Sequence, residues 1–476
     1  MVVFKKVACL TAICVTFTGY VFSQNTVSLP VSLNKLDAFN KPGKNWVAVS
    51  SASADFSKSQ NIKYKSGEGI LLNTSKKDGT DLVSSQEFGD AEIDLDFMMA
   101  GSSVSAIYLE GRYGIKLADS WKKQNPTLAD LGAVEQVTDN HGKAQDGSAP
   151  FMNVARAPGL WQHIKIKFRA PVFVNGVKTK NARFEEVSVN GTTIQLENDL
   201  TGPTVFTIFK DEKASGPLMI KGNGGIVAFR NITYTPLQPL PSPDFGNPLS
   251  KRRNAPVNPI FLKPQNQPYL LRSFLMFNHI KRTHVISMGD PNGLNFSYDL
   301  KQGALFQVWR GQFLDVTEMW ENRGEPQLAK PLGSVLGLSV APVLATLNNI
   351  ENRWPDSVAF DDLQNKGYQL DKNRMPTFLY SYAGADITDK ISAQANGESL
   401  LRNVSVTNAP GNFYFRIAEA AAIEKLENGL YAIGHQLYYI RFGEETKPVI
   451  RSTKNGQELI VALKKGSNTL SYSLIW

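Results

Sequence analysis

Between Ile107 and Trp161 the sequence gathers side chains that could do chemistry: Tyr108, Tyr113, Trp121 and Trp161 lie among Glu110, Arg112, Asp119, Glu135 and Arg156. Aromatic rings stack on the C–H-rich faces of sugars, and carboxylate and guanidinium groups fork pairs of hydroxyls, so this mixture suits a carbohydrate site. A carboxyl held in an apolar cleft can also serve as an acid. The competing reading makes Tyr108, Leu117 and Trp161 core strand residues and the charges a wet face. His141 stands apart from the other histidines because it lies in the loop Asp139-Asn140-His141-Gly142, where a side chain can reach a ligand.

Other chemistries find no footing. There is no phosphate loop, dinucleotide fingerprint, G-x-S-x-G elbow or H-E-x-x-H. His163 sits on a strand-like alternation and reads as structural, and His279 and His284 are too loosely spaced to signal a metal by themselves. The only cysteines are Cys9 and Cys14, inside a leader in which Lys5 and Lys6 precede an apolar run from Val7 to Phe22 and the small Ser23. This pattern predicts a secretory signal peptide at residues 1–23 and a mature chain with no thiol chemistry, no disulfide and no stable transmembrane segment. Export to a bacterial periplasm or the extracellular space, with envelope association open, is the expected location. An acylated Cys14 is the rival, against the lack of a small residue just before it. Loss of the leader lysines takes the formal charge of +8 to +6. The remaining basic cluster, Lys251-Arg252-Arg253, has no aromatic platform, so no nucleic-acid partner is expected.

The elements that must position these groups are strands. At 476 residues the chain is long enough for two or three domains. Nine of its 25 prolines fall between Pro236 and Pro268, which predicts an extended linker over 237–268 separating residues 24–236 from a second unit at 269–476. Runs such as Ala91 to Phe97 and His163 to Phe168 alternate apolar and polar residues, and Asn175-Gly176 and Asn190-Gly191 suit tight hairpins. The class is all-β: an antiparallel sandwich followed by a second, mainly β domain. There, strands are expected at Thr283–Met288, Asn295–Tyr298, Ala304–Trp309, Tyr431–Phe442, Glu458–Leu463 and Thr469–Ile475, with one short helix near Ile417–Leu426.

The blocks Ile107 to Trp121, Asn153 to Gln162, Phe168-Arg169-Ala170-Pro171, Leu200 to Thr204, Gly216 to Ile220 and Ala228 to Ile232 resemble, in order, the 3-keto-disaccharide hydrolase domain family over about residues 36–236. The resemblance implies a concanavalin-like jelly roll with a sugar site on its concave face, and cleavage of glycosides that carry a ketone at C3. Such chemistry needs a base for the C2 proton, an acid for the leaving oxygen, and a cation or metal for the enolate. The chain departs from the family where Gly114 stands for a Glu, Gly224 for a His, Phe151 for an Arg and Glu135 for a Tyr.

These departures leave three readings. In the first, the protein cleaves 3-keto-glycosides, with Glu135 or His141 as base or acid, Arg112 as the orienting or enolate-stabilising cation, and Glu110, Asp119, Trp121 and Arg156 holding the sugar. Asp119 could then bind a sugar hydroxyl or a divalent metal, no cofactor being firmly implied. In the second, a degenerate relative binds glycans without catalysis. In the third, the chain is an envelope interaction module. The segments His284 to Pro291, Tyr298-Asp299 and Trp309 to Asp315 also resemble a domain that follows sugar-related modules in secreted bacterial proteins. His284, Asp290, Asp299, Arg310 and Asp315 are either a second site or turn and sheet-edge residues.

Overall fold

The computed structural model describes residues 29–138, 143–238, 258–321, 327–359 and 361–476. The leader, His141 and most of the proline-rich segment lie outside these residues. The first unit is a jelly-roll sandwich of two antiparallel sheets. The larger sheet runs in the order Thr192–Leu200, Ala182–Val189, Trp161–Arg169, Ala91–Met99, Val227–Pro236, Ile62–Asn73, Trp46–Ala54, with Val31–Ser32 beside Val227–Pro236. The smaller sheet runs Leu82–Phe88, Gly216–Ile220, Val104–Leu109, Tyr113–Ala118.

Alternation explains the packing. Ile93, Leu95 and Phe97 of the larger sheet and Ile107, Leu109, Ile115 and Leu117 of the smaller one share a single buried cluster. Their polar neighbours face away: Lys165 pairs with Glu92 at 3.0 Å, and His163 Nδ1 lies 3.0 Å from Asp96. That hydrogen bond holds the His163 imidazole above its ordinary pKa, in a charge ladder on the outer face. Both Asn-Gly pairs form their turns with positive φ, 52° and 79° at Asn175-Gly176 and 50° and 78° at Asn190-Gly191.

Among the described residues the second unit contains three sheets. Six strands group around Leu294–Asp299 and Ala304–Asp315, eight around Ser399–Ala409 and Gly466–Ile475, and four around Phe413–Ala420 and Gly456–Leu463. The helix expected near Ile417–Leu426 is instead the end of strand Phe413–Ala420 followed by strand Ile423–Lys425. Pairing of Phe413 to Ala420 against Leu463 to Gln457 overrides the local helical preference of Ala and Glu. The expected strand Tyr431–Phe442 is two, Tyr431–Ile433 and Tyr438–Phe442, paired with one another. Inside this unit the buried Arg402 and Asp389 form a two-pronged ion pair, with Tyr298 donating to Asp389 at 2.9 Å and Arg402 donating to the Tyr472 hydroxyl at 3.0 Å. The ring of Tyr298 stacks on Phe378 with centroids 3.9 Å apart.

The two units share a core. Trp121, Ala157 and Leu160 of the sandwich belong to the same buried cluster as Tyr439, Leu474 and Trp476. Phe56 packs edge-on against Trp121, centroids 5.3 Å apart, and is 5.8 Å from Tyr439. The Trp121 indole N–H donates to the carbonyl of Trp476 at 3.0 Å, the Tyr439 hydroxyl to that of Ala54 at 3.2 Å, and the Trp161 amide to that of Gln436 at 3.1 Å. Gly159 makes this approach possible. Its φ is +83°, and a Cβ there would lie 2.5 Å from both the Ala54 carbonyl oxygen and the Tyr439 hydroxyl. Gly159→Ala combines left-handed strain with overpacking, and is expected to cost about 2 to 4 kcal/mol. Urea unfolding of the full chain checks this; an unchanged midpoint would show that the interface yields freely.

Candidate functional site

The hairpin Val104–Leu109/Tyr113–Ala118 turns through Glu110, Gly111 and Arg112, the first two at φ 56° and 63°. After this turn, Tyr113, Ile115 and Leu117 face the sandwich core, so Gly114 and Lys116 face outward with Ala106 and Tyr108. The next segment closes over them, Glu135 N–H donating to the Gly114 carbonyl at 2.9 Å. The Glu135 carboxylate, 7% exposed, lies 3.5 Å from Lys116 Nζ. Burial pushes its pKa up, while Lys116 and Lys221 pull it back.

Tyr108 forms the floor. It is fully buried, its hydroxyl donates to the Val205 carbonyl at 3.1 Å, and burial together with the Glu135 charge raises its pKa. Lys221 reaches this face from the neighbouring strand end, with Nζ 6.0 Å from the Tyr108 ring centre, 3.6 Å from Asp81, and donating to the Phe206 carbonyl at 3.2 Å. Phe206 rims the site, 65% exposed, at φ 61°. A large side chain held exposed in a left-handed conformation is a feature often associated with binding sites. A carboxylate of raised pKa, two ammonium groups and an exposed ring can together shuttle a proton, steady an oxyanion and stack on a sugar.

The substitutions against the family pattern have a geometric basis. A Cβ on Gly114 would lie 2.6 Å from Tyr108 Cε1 and 3.0 Å from Glu135 Cγ, so the Tyr108 ring and the Glu135 stem already fill the place of a side chain there. Glu135 thereby places a carboxylate beside Gly114 from the adjacent segment. At Gly224 a Cβ would lie 2.2 Å from the Val104 carbonyl oxygen.

The other expected site residues go elsewhere. Arg112 is buried and committed: Nη1 donates to the Glu110 carbonyl at 2.9 Å, Nε to the Asp211 carbonyl at 2.6 Å, and Nη2 to the Asp211 carboxylate at 2.8 Å, beneath the Phe209 ring. It clamps the loop that carries Phe206 and so acts as a positioning group. Glu110 is 2% exposed with both carboxyl oxygens unpartnered, and burial pushes its pKa up to about 8. Asp119 accepts from the Ser102 amide at 2.8 Å in a turn. Trp121 lies in the core shared by the two units, so it is not an open stacking platform. Arg156 donates to the Trp161 carbonyl at 3.2 Å and is desolvated, which pulls its pKa down to about 10. Phe151, 56% exposed, borders a cleft between the units. His141 lies outside the described residues. Among the described residues no group of three His, Cys, Asp or Glu side chains is arranged to hold a metal. Lys221 and Phe206 were not expected as site members, and Tyr108 and Lys116 fell within the candidate stretch without an assigned role, although the outward parity of Tyr108, Gly114 and Lys116 on one hairpin was a usable signal.

Because the Glu110 carboxyl binds its proton more tightly when folded, its stability contribution is present below the ordinary carboxyl pKa and is lost as pH rises toward about 8. Glu110→Gln is therefore expected to flatten the decline in stability over that interval. Denaturation midpoints at acid and mildly alkaline pH check this, and an unchanged slope counts against a neutral buried carboxyl.

Comparison with known proteins places the sandwich. A candidate glycosyl hydrolase from Parabacteroides distasonis ATCC 8503 is 21% identical over 41% of this chain and 80% of its own, with a TM-score of 0.29. The Bacillus subtilis carbohydrate-binding module CBM66 is 12% identical over 40% of this chain and 95% of its own, with a TM-score of 0.20. The Zobellia galactanivorans protein LamAcat is 10% identical over 45% of this chain and 98% of its own, with a TM-score of 0.25. No curated protein matches. The family model of the 3-keto-alpha-glucoside-1,2-lyase-like domain matches residues 35–235, so the sandwich is a domain of the 3-keto-disaccharide hydrolase family.

Proposed function

We propose that the outer face of the smaller sheet cleaves glycosides oxidised at C3. The observation that carries this reading is the return of a carboxylate, Glu135, beside Gly114, between the Tyr108 phenol and the ammonium groups of Lys116 and Lys221. A C3 ketone acidifies the C2 proton. Glu135 takes that proton, and the C2–H electron pair moves into an enolate whose oxygen the lysines stabilise. The enolate pair then forms the C1–C2 double bond as the C1–oxygen bond breaks and the leaving oxygen takes up a proton. Water adds across the double bond, its oxygen to C1 and a proton to C2, so that the net reaction is hydrolysis. Phe206 offers the stacking face for the ring.

A second reading is favoured by a separate observation. The backbone of Val104 occupies the space beyond Gly224, and the Tyr108 hydroxyl is already bound to Val205, so the face has fewer free acids and bases than the family pattern. Under this reading it binds glycans without turnover. The apolar leader from Val7 to Phe22 supports an exported protein for either case.

Release of p-nitrophenol from p-nitrophenyl 3-keto-glucoside by the purified full chain distinguishes the readings. Turnover that falls about 100-fold or more in Glu135→Gln is the expected result. Equal release by the two proteins removes Glu135 from the chemistry, and calorimetric binding without release leaves the second reading. Lys221→Ala is expected to lower kcat with less effect on KM, since the enolate charge develops after binding.

A further inference from the structure

A polar cleft opens where the two units meet, away from the sheet face that carries Glu135. Its walls come from the sandwich segments 123–126 and 151–153 and from segments 263–264, 290–295 and 310–313 of the second unit, enclosing about 240 Å³. That is slightly below the ~300–1,000 Å³ of sites for drug-sized ligands, room for one ring and not for a chain. Neither unit forms the cleft alone. Gln124 of the sandwich donates to Asn292 of the second unit across it.

The lining has a definite chemistry. Gln124, Asn125, Asn292 and Gln312 place neutral amides around the cleft, each pairing a donor with an acceptor as a hydroxyl does. Asp290 adds a carboxyl, one oxygen of which accepts from the Asn292 amide at 2.8 Å, and the exposed Phe151 adds aromatic surface. The fold leaves polar groups of this lining unpaired. Asn295 is 1% exposed and uses its amide N–H groups on the carbonyls of Gly293, Trp309 and Gly311, yet its Oδ1 has no partner. Arg310 is 4% exposed and donates to the carbonyls of Gly397 and Trp476, while its Nε has none. Buried polar atoms are seldom left unpaired in native proteins, so two in residues beside one cleft set this lining apart.

The geometry points to a second carbohydrate-binding site in this cleft, built jointly by the two units and taking a single neutral, hydroxyl-rich ring such as the end of a glycan. Amides match hydroxyls without demanding charge, and the aromatic surface accepts the apolar face of a sugar ring. Of the residues grouped in the sequence as a possible second site, Asp290 and Arg310 are the two that line it. Asp299 is tied to the Lys301 amide at 2.8 Å, Asp315 to the Thr317 amide at 2.8 Å, and His284 to the Thr283 hydroxyl at 3.0 Å.

Saturation-transfer NMR of the full chain with methyl α-D-glucopyranoside tests the site directly. Transfer to the sugar protons at about 10 mM probe is expected, with a reduction of about threefold or more in Asp290→Ala and in Gln312→Ala. The Gln312 backbone, not its side chain, holds the Trp309 indole, so this variant leaves that contact in place. Glu135→Gln is expected to keep the signal. Absence of transfer, equal transfer in both cleft variants, or loss of transfer in Glu135→Gln alone would overturn the proposal. Failure of 3-keto-glucoside turnover would leave it standing, because the cleft and the catalytic face share no residue.

Discussion

A strand offers only every second residue to a given face, and the hairpin from Val104 to Ala118 must serve a core and a site together. Everything on the candidate catalytic face depends on the parity set by its three-residue turn. Ile107, Leu109, Ile115 and Leu117 close the sandwich, which leaves Tyr108, Gly114 and Lys116 on the other side. Arg112 fixes that turn from within by binding the Glu110 carbonyl, and it ties the turn to Asp211. One buried guanidinium thus holds both the strand register and the loop that carries Phe206.

The same constraint brings a carboxyl group beside Gly114. The space beside Gly114 is filled by the Tyr108 ring and the Glu135 stem. Glu135 is desolvated there, yet remains within reach of two ammonium groups, so its proton affinity is balanced between burial and charge. At Gly224 the space is taken by backbone, which cannot supply an acid or a base.

Much of the sandwich was legible because its strands alternate and its turns use Asn-Gly, both of which are local signals. The place of His163 in an outer-face ladder with Asp96 followed from that alternation. Lys221 escaped notice because only the cross-strand pairing of Met219 with Tyr108 brings it to the face, over more than 100 positions of sequence. Trp121 illustrates the opposite failure. Its type and neighbours suit a sugar platform, but it packs on Phe56 and its indole N–H is bound by Trp476, 355 positions away. The Ala- and Glu-rich stretch after Phe413 shows propensity losing to partners: Leu459 and Ile460 lie alongside it and impose a strand.

The shared core has a consequence for the order of events during synthesis. Trp121 meets Trp476 across 355 positions, and Tyr439 meets Ala54 across 385. Contacts so far apart close late, because the intervening chain must be made and its loop entropy overcome first. At translation speeds of ~5–20 residues per second, the apolar surface of Trp121, Ala157 and Leu160 waits roughly 15 to 60 s for the final strand that covers it. During that interval the nascent sandwich carries an adhesive patch. The same residues that join the finished units thus leave an apolar surface uncovered on the unfinished chain.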